Sequence, residues 1–141
     1  MKAWICKAFG ETPALVDWAD PQPGPGQVVI DIAACGVNFA DTLILQGKYQ
    51  KRPDGPFSPG FEVSGTVHAV GENVDDIHIG DRVMAMPDWG GFAQKVVVPA
   101  SGVVALPDGV DMDGAAAFQI AYGTSWFGLK YRAGVVAGDI V

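Results

Sequence analysis

Glycine and proline recur so often along this chain that only short secondary-structure elements fit between them. The 141 residues include 19 glycines and 10 prolines. Between these turn residues, apolar and polar positions alternate, most clearly at 27–34 and 61–70. Alternation with a period of two is typical of strands that bury one face. The pattern therefore predicts a mainly β, α+β chain, built around a barrel or a sandwich.

Seven short strands and one short helix are predicted for the first 110 residues. In the first strand, Trp4 and Ile5 are the core candidates. A helix is expected at 38–46, where apolar residues have helical spacing, and Gly47 ends it. The predicted strands lie at 1–8, 14–18, 27–34, 61–70, 82–86, 92–98 and 103–106.

The pattern changes after residue 110, where helical spacing replaces alternation. Asp111 can cap a helix that carries Ala115–Phe118, and a second helix is predicted at 121–131. The residues 137–141 then predict the beginning of another strand. We therefore expect connecting helices to follow the β part of the chain.

Charge and cysteine content narrow the function classes. The net charge is −7, and no basic patch is present, so nucleic acid is not an expected partner. No apolar run reaches the roughly 18 residues of a membrane span, and no signal peptide is recognised, so a cytoplasmic protein is expected. Cys6 and Cys35 form no C-x-x-C motif, which favours buried thiols over a metal site or a disulfide.

Seven motifs occur in an order that resembles the medium-chain dehydrogenase/reductase superfamily, in its zinc-independent quinone oxidoreductase branch. Each motif alone is weak, but the ordered set covers almost all of the chain. The motifs lie at Pro23–Ile30, Cys35–Asp41, Pro59–Val67, Val70–Val74, Gly80–Val83, Gly91–Gln94 and Ala121–Ser125.

The resemblance implies a two-part organisation. Residues 1–110 would form a GroES-like β-barrel that carries the substrate site, and 111–141 would be connecting helices and the start of a cofactor-binding domain. The Rossmann domain itself is absent from these residues, since its Gly-rich phosphate turn would follow Val141. The resemblance therefore implies that NADPH is the cofactor and that the chain alone would be inactive.

The resemblance also implies that this chain has no zinc site. Zinc-dependent relatives place ligands at the positions of Asn38, Phe61 and Ala116, and none of these side chains is a usual zinc ligand. A catalytic zinc needs three protein ligands from Cys, His or acidic residues. A quinone or enone substrate needs less help, because hydrogen-bond donors can stabilise its delocalised oxyanion.

The resemblance places the candidate catalytic residue at Asn38, whose side-chain amide could donate to that oxyanion. Asn38 would lie near both nicotinamide and substrate, although a helix N-cap is an alternative role for it. Leu43, Tyr49 and Phe61 are the candidate pocket residues, and Leu43 stands where several quinone reductases carry a tyrosine. Glu62 would support the site or pair with an arginine such as Arg82.

Tyr122 and Thr124 are the remaining candidates, and with Asn38 they are expected to bind the cofactor. The motif Tyr122-Gly123-Thr124 would open the second helix, whose N-terminus favours anionic or polar groups. Helix capping by Thr124 and core packing by Tyr122 are the alternative roles.

The residues and the resemblance together predict an NAD(P)H-dependent oxidoreductase that reduces a quinone or enone and forms a homo-oligomer. Three alternatives remain open: an enoyl-thioester reductase, a zinc-type alcohol dehydrogenase relative, and a stand-alone GroES-like binding or assembly module. The same barrel serves all of them, so fold alone does not choose between them.

Overall fold

Two antiparallel sheets and a group of short helices make up the structure, a computed structural model that describes all 141 residues. A two-stranded sheet pairs β1 with β2, and a five-stranded sheet has the order β6-β3-β4-β5-β7. The strands are β1 Lys2–Ile5, β2 Ala14–Asp17, β3 Gln27–Cys35, β4 Val63–Val70, β5 Arg82–Ala85, β6 Lys95–Pro99 and β7 Val103–Ala105. The prediction of a mainly β, α+β chain is therefore confirmed.

The core lies on one face of the five-stranded sheet, where alternate residues of its central strands meet. Strand β3 pairs with both β4 and β6, and two irregularities in the β3–β4 register bend the pair. The buried cluster is rich in valine, a β-branched residue that packs well on a pleated surface. Its members are Val28, Ile30, Val63, Val67, Val83, Ala85, Val96 and Val98.

In β1, only one of the two predicted core residues is buried. Ile5 is 3% exposed as predicted, but Trp4 is 48% exposed, so its assignment to the core is wrong. Adjacent residues of a strand point to opposite faces, and Ala3 shares the buried face with Ile5. Bridges between Ala3 and Ala93 and between Cys6 and Phe57 attach this sheet to the rest of the molecule.

A second, smaller core surrounds helix α1, Phe39–Leu45. Four buried residues form it: Cys6, Ile44, Phe57 and Phe61. Tyr49 and Ile120 pack against this cluster from the loop after α1 and from the C-terminal helices. The small core therefore joins three separate parts of the chain.

The C-terminal segment is helical, with α2 at Met112–Ala116 and α3 at Gln119–Trp126. Asp111 caps α2 as predicted, because its carboxylate accepts the Gly114 N–H at 2.8 Å. Helix α3 begins two residues before the predicted start and continues as a wider π-helical turn over Phe127–Arg132. None of these helices combines the length and apolarity of a membrane span.

The strand predicted at 137–141 does not form. Ile140 and Val141 are fully exposed or nearly so, and this segment pairs with no strand of the structure. Isolated strands are unstable in water, because their backbone groups need a partner. The predicted strand is therefore wrong, because an apolar pattern forms a strand only where it pairs with another strand.

Candidate functional site

A cavity of about 580 Å³ lies where the small core meets helix α3. Its volume is within the usual range of small-molecule sites. Tyr49, Phe61 and Thr124, three of the sequence-predicted site residues, line it together. The other lining residues are Ala40, Gln50, Lys51, Met86, Pro87, Asp88, Gln119, Ile120, Gly123 and Phe127.

Two aromatic rings form the inner wall of the cavity. Phe61 is 5% exposed and belongs to the small core, and its ring centroid lies 4.9 Å from that of Tyr49. The rings are tilted by 54°, an arrangement that favours edge-to-face attraction. Phe61 therefore fixes the position of Tyr49, whose hydroxyl is the polar end of this wall.

Glu62 connects the two sides of the site. Its carboxylate is buried, and it accepts the Asn38 Nδ2–H at 2.9 Å through Oε1 and the Ile120 backbone N–H at 3.0 Å through Oε2. The expected pairing with Arg82 is wrong, because the Arg82 guanidinium donates to the Val110 carbonyl. A buried carboxylate with two donors is satisfied, so Glu62 holds the start of α3 against the loop before α1.

Asn38 occupies the N-cap of α1, which is the alternative role predicted for it. One of its two amide N–H groups is used by Glu62, which leaves the other N–H as a donor. Asn38 is not among the residues lining the cavity, although Ala40 two positions later is. Its assignment as the catalytic donor therefore stays a prediction.

Asp41 fixes the turn that carries Asn38. Its carboxylate is 3% exposed and accepts the backbone N–H groups of Asn38 at 2.7 Å and Gly60 at 2.9 Å. Burial raises the pKa of Asp41, a trend that the two hydrogen bonds oppose and the nearby Glu62 carboxylate reinforces. Asp41 therefore stabilises the turn before α1 through two backbone N–H groups.

Gly36 and Cys35 complete the packing behind Glu62. A Cβ on Gly36 would collide with the Glu62 carboxylate and would lie 2.8 Å from the Ala116 carbonyl oxygen. Burial raises the pKa of the Cys35 thiol to about 12, and the neighbouring carboxylates of Asp41 and Glu62 contribute to the shift. Cys35 is therefore a protonated thiol at neutral pH and a poor nucleophile.

Besides Asn38, two further predicted site residues, Leu43 and Tyr122, do not line this cavity. Leu43 is half-buried on α1 and lies outside the lining set. Tyr122 is 65% exposed and stacks on Phe118 with ring centroids 5.2 Å apart. The expected helix start at Tyr122 is also wrong, because α3 begins at Gln119 and Glu62 already occupies the N–H of Ile120.

Other cavity residues were missed by the sequence analysis. Lys51 and Asp88 form an ion pair of 2.6 Å between two loops, and both line the cavity. Gln119 lines it as the first residue of α3. Loop residues far apart in sequence carry no periodic signal, so only the fold shows that Lys51 and Asp88 meet.

The donor set does not fit a metal. No group of three or more His, Cys, Asp or Glu residues with the arrangement of a metal site occurs in the chain. Zinc-dependent relatives would place their ligands at three positions of this chain. These positions hold the Asn38 amide, which is bonded to Glu62, the buried phenyl ring of Phe61, and the buried Ala116. The side chains at these positions could not supply three zinc ligands.

A family model matches much of this chain. The alcohol dehydrogenase GroES-like domain matches residues 24–108, which include β3 to β7 and α1. Among curated proteins, the Quinone oxidoreductase-like protein 2 homolog of Nematostella vectensis is 37% identical over 142 residues, covering 99% of this chain and 39% of that protein.

Solved structures show the same similarity in three dimensions. Human synaptic vesicle membrane protein VAT-1 homolog-like protein has a TM-score of 0.92 and 36% identity, covering 98% of this chain and 45% of that one. The quinone oxidoreductase of Thermus thermophilus, solved also in complex with NADPH, has a TM-score of 0.81 and 38% identity, covering 94% and 41%. The chain thus spans less than half the length of each of these proteins.

Proposed function

The chain belongs to the alcohol dehydrogenase GroES-like domain family of the medium-chain dehydrogenase/reductase superfamily, and from this premise we propose that it is the substrate-binding part of a quinone oxidoreductase. The reaction would be NADPH-dependent two-electron reduction of a quinone or enone without zinc. One observation carries the proposal: Tyr49 and Phe61 meet Thr124 of α3 around a single cavity. The relatives named as quinone oxidoreductases support the substrate class.

The cavity suits a flat, electron-poor ring. Phe61, Met86, Ile120 and Phe127 provide apolar surface on its walls. A quinone ring can pack against this surface while donors of the protein bind its carbonyl oxygens. A nicotinamide coenzyme bound beside the ring would supply the hydride.

The protein's donors would stabilise the developing charge on the substrate. The Tyr49 hydroxyl and the Lys51 ammonium both line the cavity, and either can donate to a quinone carbonyl oxygen. Thr124 on α3 lines the same cavity, and its hydroxyl would suit the polar edge of a carboxamide-bearing ring. These donors fit the nicotinamide end of a coenzyme, whereas residues 1–141 contain no Gly-rich phosphate turn for its pyrophosphate.

A domain graft tests the proposal. Residues 1–141 would replace the matching part of the Thermus thermophilus quinone oxidoreductase, and NADPH oxidation would be followed with a quinone acceptor. We expect turnover by the graft and none by residues 1–141 alone, because the family's phosphate turn is absent from them. NADPH oxidation by residues 1–141 alone would contradict the second expectation.

A tyrosine pair provides the matched control. In the graft, Tyr49→Phe should lower kcat/KM by about 10- to 100-fold if its hydroxyl stabilises the oxyanion. Tyr131→Phe removes the same hydroxyl from a residue that is 70% exposed and outside the cavity, and it should change nothing. Equal effects of the two variants would refute the role given to Tyr49.

Substrate comparison separates the proposal from its alternatives. A graft that reduces enoyl thioesters faster than quinones would make the chain part of an enoyl-thioester reductase. A graft that binds NADPH but reduces neither class would favour a binding or assembly module.

A further inference from the structure

A single buried side-chain atom in this structure has no hydrogen-bond partner. It is Oε1 of Gln119, the first residue of α3. Buried polar atoms in folded proteins are nearly always paired, because an unpaired one loses its bonds to water and gains nothing in return. An unpaired amide oxygen next to a cavity therefore calls for a partner that occupies the cavity.

The surrounding structure holds Gln119 at this place. The N–H of the next residue, Ile120, is bound by the buried Glu62 carboxylate at 3.0 Å, so the first turn of α3 cannot easily shift. Gln119 lines the cavity together with Phe61 and Tyr49. Its oxygen is covered in this structure. Rotation about the terminal side-chain torsion, which has a broad energy profile, can turn it toward the cavity.

We propose that Gln119 is a specificity-determining residue whose amide oxygen accepts a hydrogen bond from a hydroxyl group on the bound quinone. This inference rests on the proposed function. The quinone ring offers only acceptor oxygens, which suit the Tyr49 and Lys51 donors, so a donor on the quinone itself would belong to a substituent. The preferred substrate class would be quinones that carry a hydroxyl-bearing side group.

Two matched quinones test this with residues 1–141 alone. One is 1,4-benzoquinone with three methyl groups and one hydroxymethyl group, and the other has an ethyl group in place of hydroxymethyl. Both rings are fully substituted, so neither has an unsubstituted carbon to which the thiols of Cys6 and Cys35 could add. Their dissociation constants would be measured by calorimetry or by quenching of tryptophan fluorescence.

The wild-type chain and Gln119→Met define the expected result. Methionine keeps the length of the side chain but removes its hydrogen-bonding groups. The ratio of the ethyl to the hydroxymethyl dissociation constant should be at least about fivefold larger in wild type than in Gln119→Met. Gln119→Glu retains an acceptor and should keep the preference. Gln22→Met, at an exposed loop residue outside the cavity, should leave the ratio unchanged.

Thermal unfolding gives an independent readout. Removing an unpaired buried oxygen should raise the Tm of Gln119→Met by a few degrees without added quinone, while Gln22→Met should show no shift. Should Gln119→Met fail to fold, Gln119→Leu is measured in its place.

The outcomes distinguish this inference from the proposed function. Equal affinity of wild type for the two quinones, or a preference that persists in the variant without the amide, would overturn the role of Gln119 and leave the proposed function intact. If residues 1–141 bind neither quinone, this inference fails, while turnover of the graft with a quinone tests the proposed function separately.

Discussion

The five-stranded sheet and the C-terminal helices use apolar residues in opposite ways. In the sheet, Val28, Val67 and Val83 are at most 1% exposed. In the helical segment, Tyr122 and Trp126 are more than 60% exposed. The sheet packs these apolar side chains into the core of the molecule, whereas the helices expose theirs on the surface. The stability of the chain is therefore concentrated in the sheet, while its candidate site depends on both regions.

Few bonds join the two regions. Ser64 on β4 donates its hydroxyl to the Met112 carbonyl at 2.6 Å, and Glu62 accepts the N–H of Ile120. The cavity lies at this junction, with Phe61 on one wall and Thr124 on the other. Its shape therefore depends on how firmly α3 is attached to the sheet.

The largest expected effect comes from the same substitution made in the sheet and in the exposed C-terminal segment that contains the helices. Ile30→Ala in β3 removes a side chain that is 0% exposed, and it should lower the free energy of unfolding by about 2–5 kcal/mol. Ile140→Ala removes a fully exposed side chain and should change it by less than about 0.5 kcal/mol. Chemical denaturation measures both. Similar losses would show that the two regions do not differ in this way.

Glu62 tests the junction itself. Glu62→Leu leaves the Asn38 amide and the Ile120 N–H without their acceptor, which should lower the free energy of unfolding by about 2 kcal/mol. Hydrogen exchange at Ile120 should accelerate, because its amide loses its partner. Glu62→Gln should cost less, since an Asn38 amide rotated by 180° can bond to it. Unchanged exchange at Ile120 would contradict the role of Glu62.

Two aspartates should give opposite dependences of stability on pH. The pKa of Asp41 is raised in the folded chain, so its contribution falls as the pH rises above its unfolded value of about 4 and through its folded pKa. The difference in unfolding free energy between wild type and Asp41→Asn should therefore shrink from pH 4 to pH 7. A constant difference would show that Asp41 ionises as readily in the folded chain as in the unfolded one.

Asp31 is the exposed counterpart of Asp41. Its hydrogen bond to Lys95 at 2.5 Å lowers the pKa of Asp31, with a further contribution from His68. Its stabilisation is present above the unfolded pKa and is lost as the pH falls through the folded one. Asp31→Asn should thus differ from wild type near pH 5 and converge with it in acid, by a few tenths of a kcal/mol because the pair is exposed. Unfolding free energies measured over the same pH range as for Asp41 give this difference.

The smallest expected effect on stability belongs to the exposed aromatic surface of the C-terminal helices. Trp126→Ser should leave the free energy of unfolding within about 0.5 kcal/mol of wild type, because the side chain is 62% exposed. It should nevertheless weaken self-association, which large exposed apolar surfaces promote. Sedimentation velocity over a range of concentrations compares the two chains. A wild-type protein that stays monomeric throughout would contradict the predicted homo-oligomer.

The sheet was predictable because local alternation and a buried face coincide in it. The strands at 27–34 and 61–70 were placed to within two residues at each end. Trp4 was misassigned because hydrophobicity alone does not tell which face of an edge strand is covered. The strand at 137–141 was misassigned because pairing is a long-range property that a five-residue pattern does not contain.

The candidate site was predictable only in part, and for a similar reason. Phe61, Tyr49 and Thr124 were predicted as site candidates, and the structure brings these three around one cavity, while their roles stay predictions. The partners of Glu62 were not predictable, because Asn38 and Ile120 lie 24 and 58 residues away along the chain. Gln119 gave no signal in the sequence, since its unpaired oxygen is a property of the packing.

Gly36 has a consequence for selection experiments. It touches neither wall of the cavity, yet any side chain there would displace the Glu62 carboxylate and press on the Ala116 carbonyl. In a saturation library screened for function, almost every replacement at this position would be lost together with those at true ligand contacts. A map of intolerant positions would therefore mark Gly36 as part of the active site, although its task is to leave room for a neighbour.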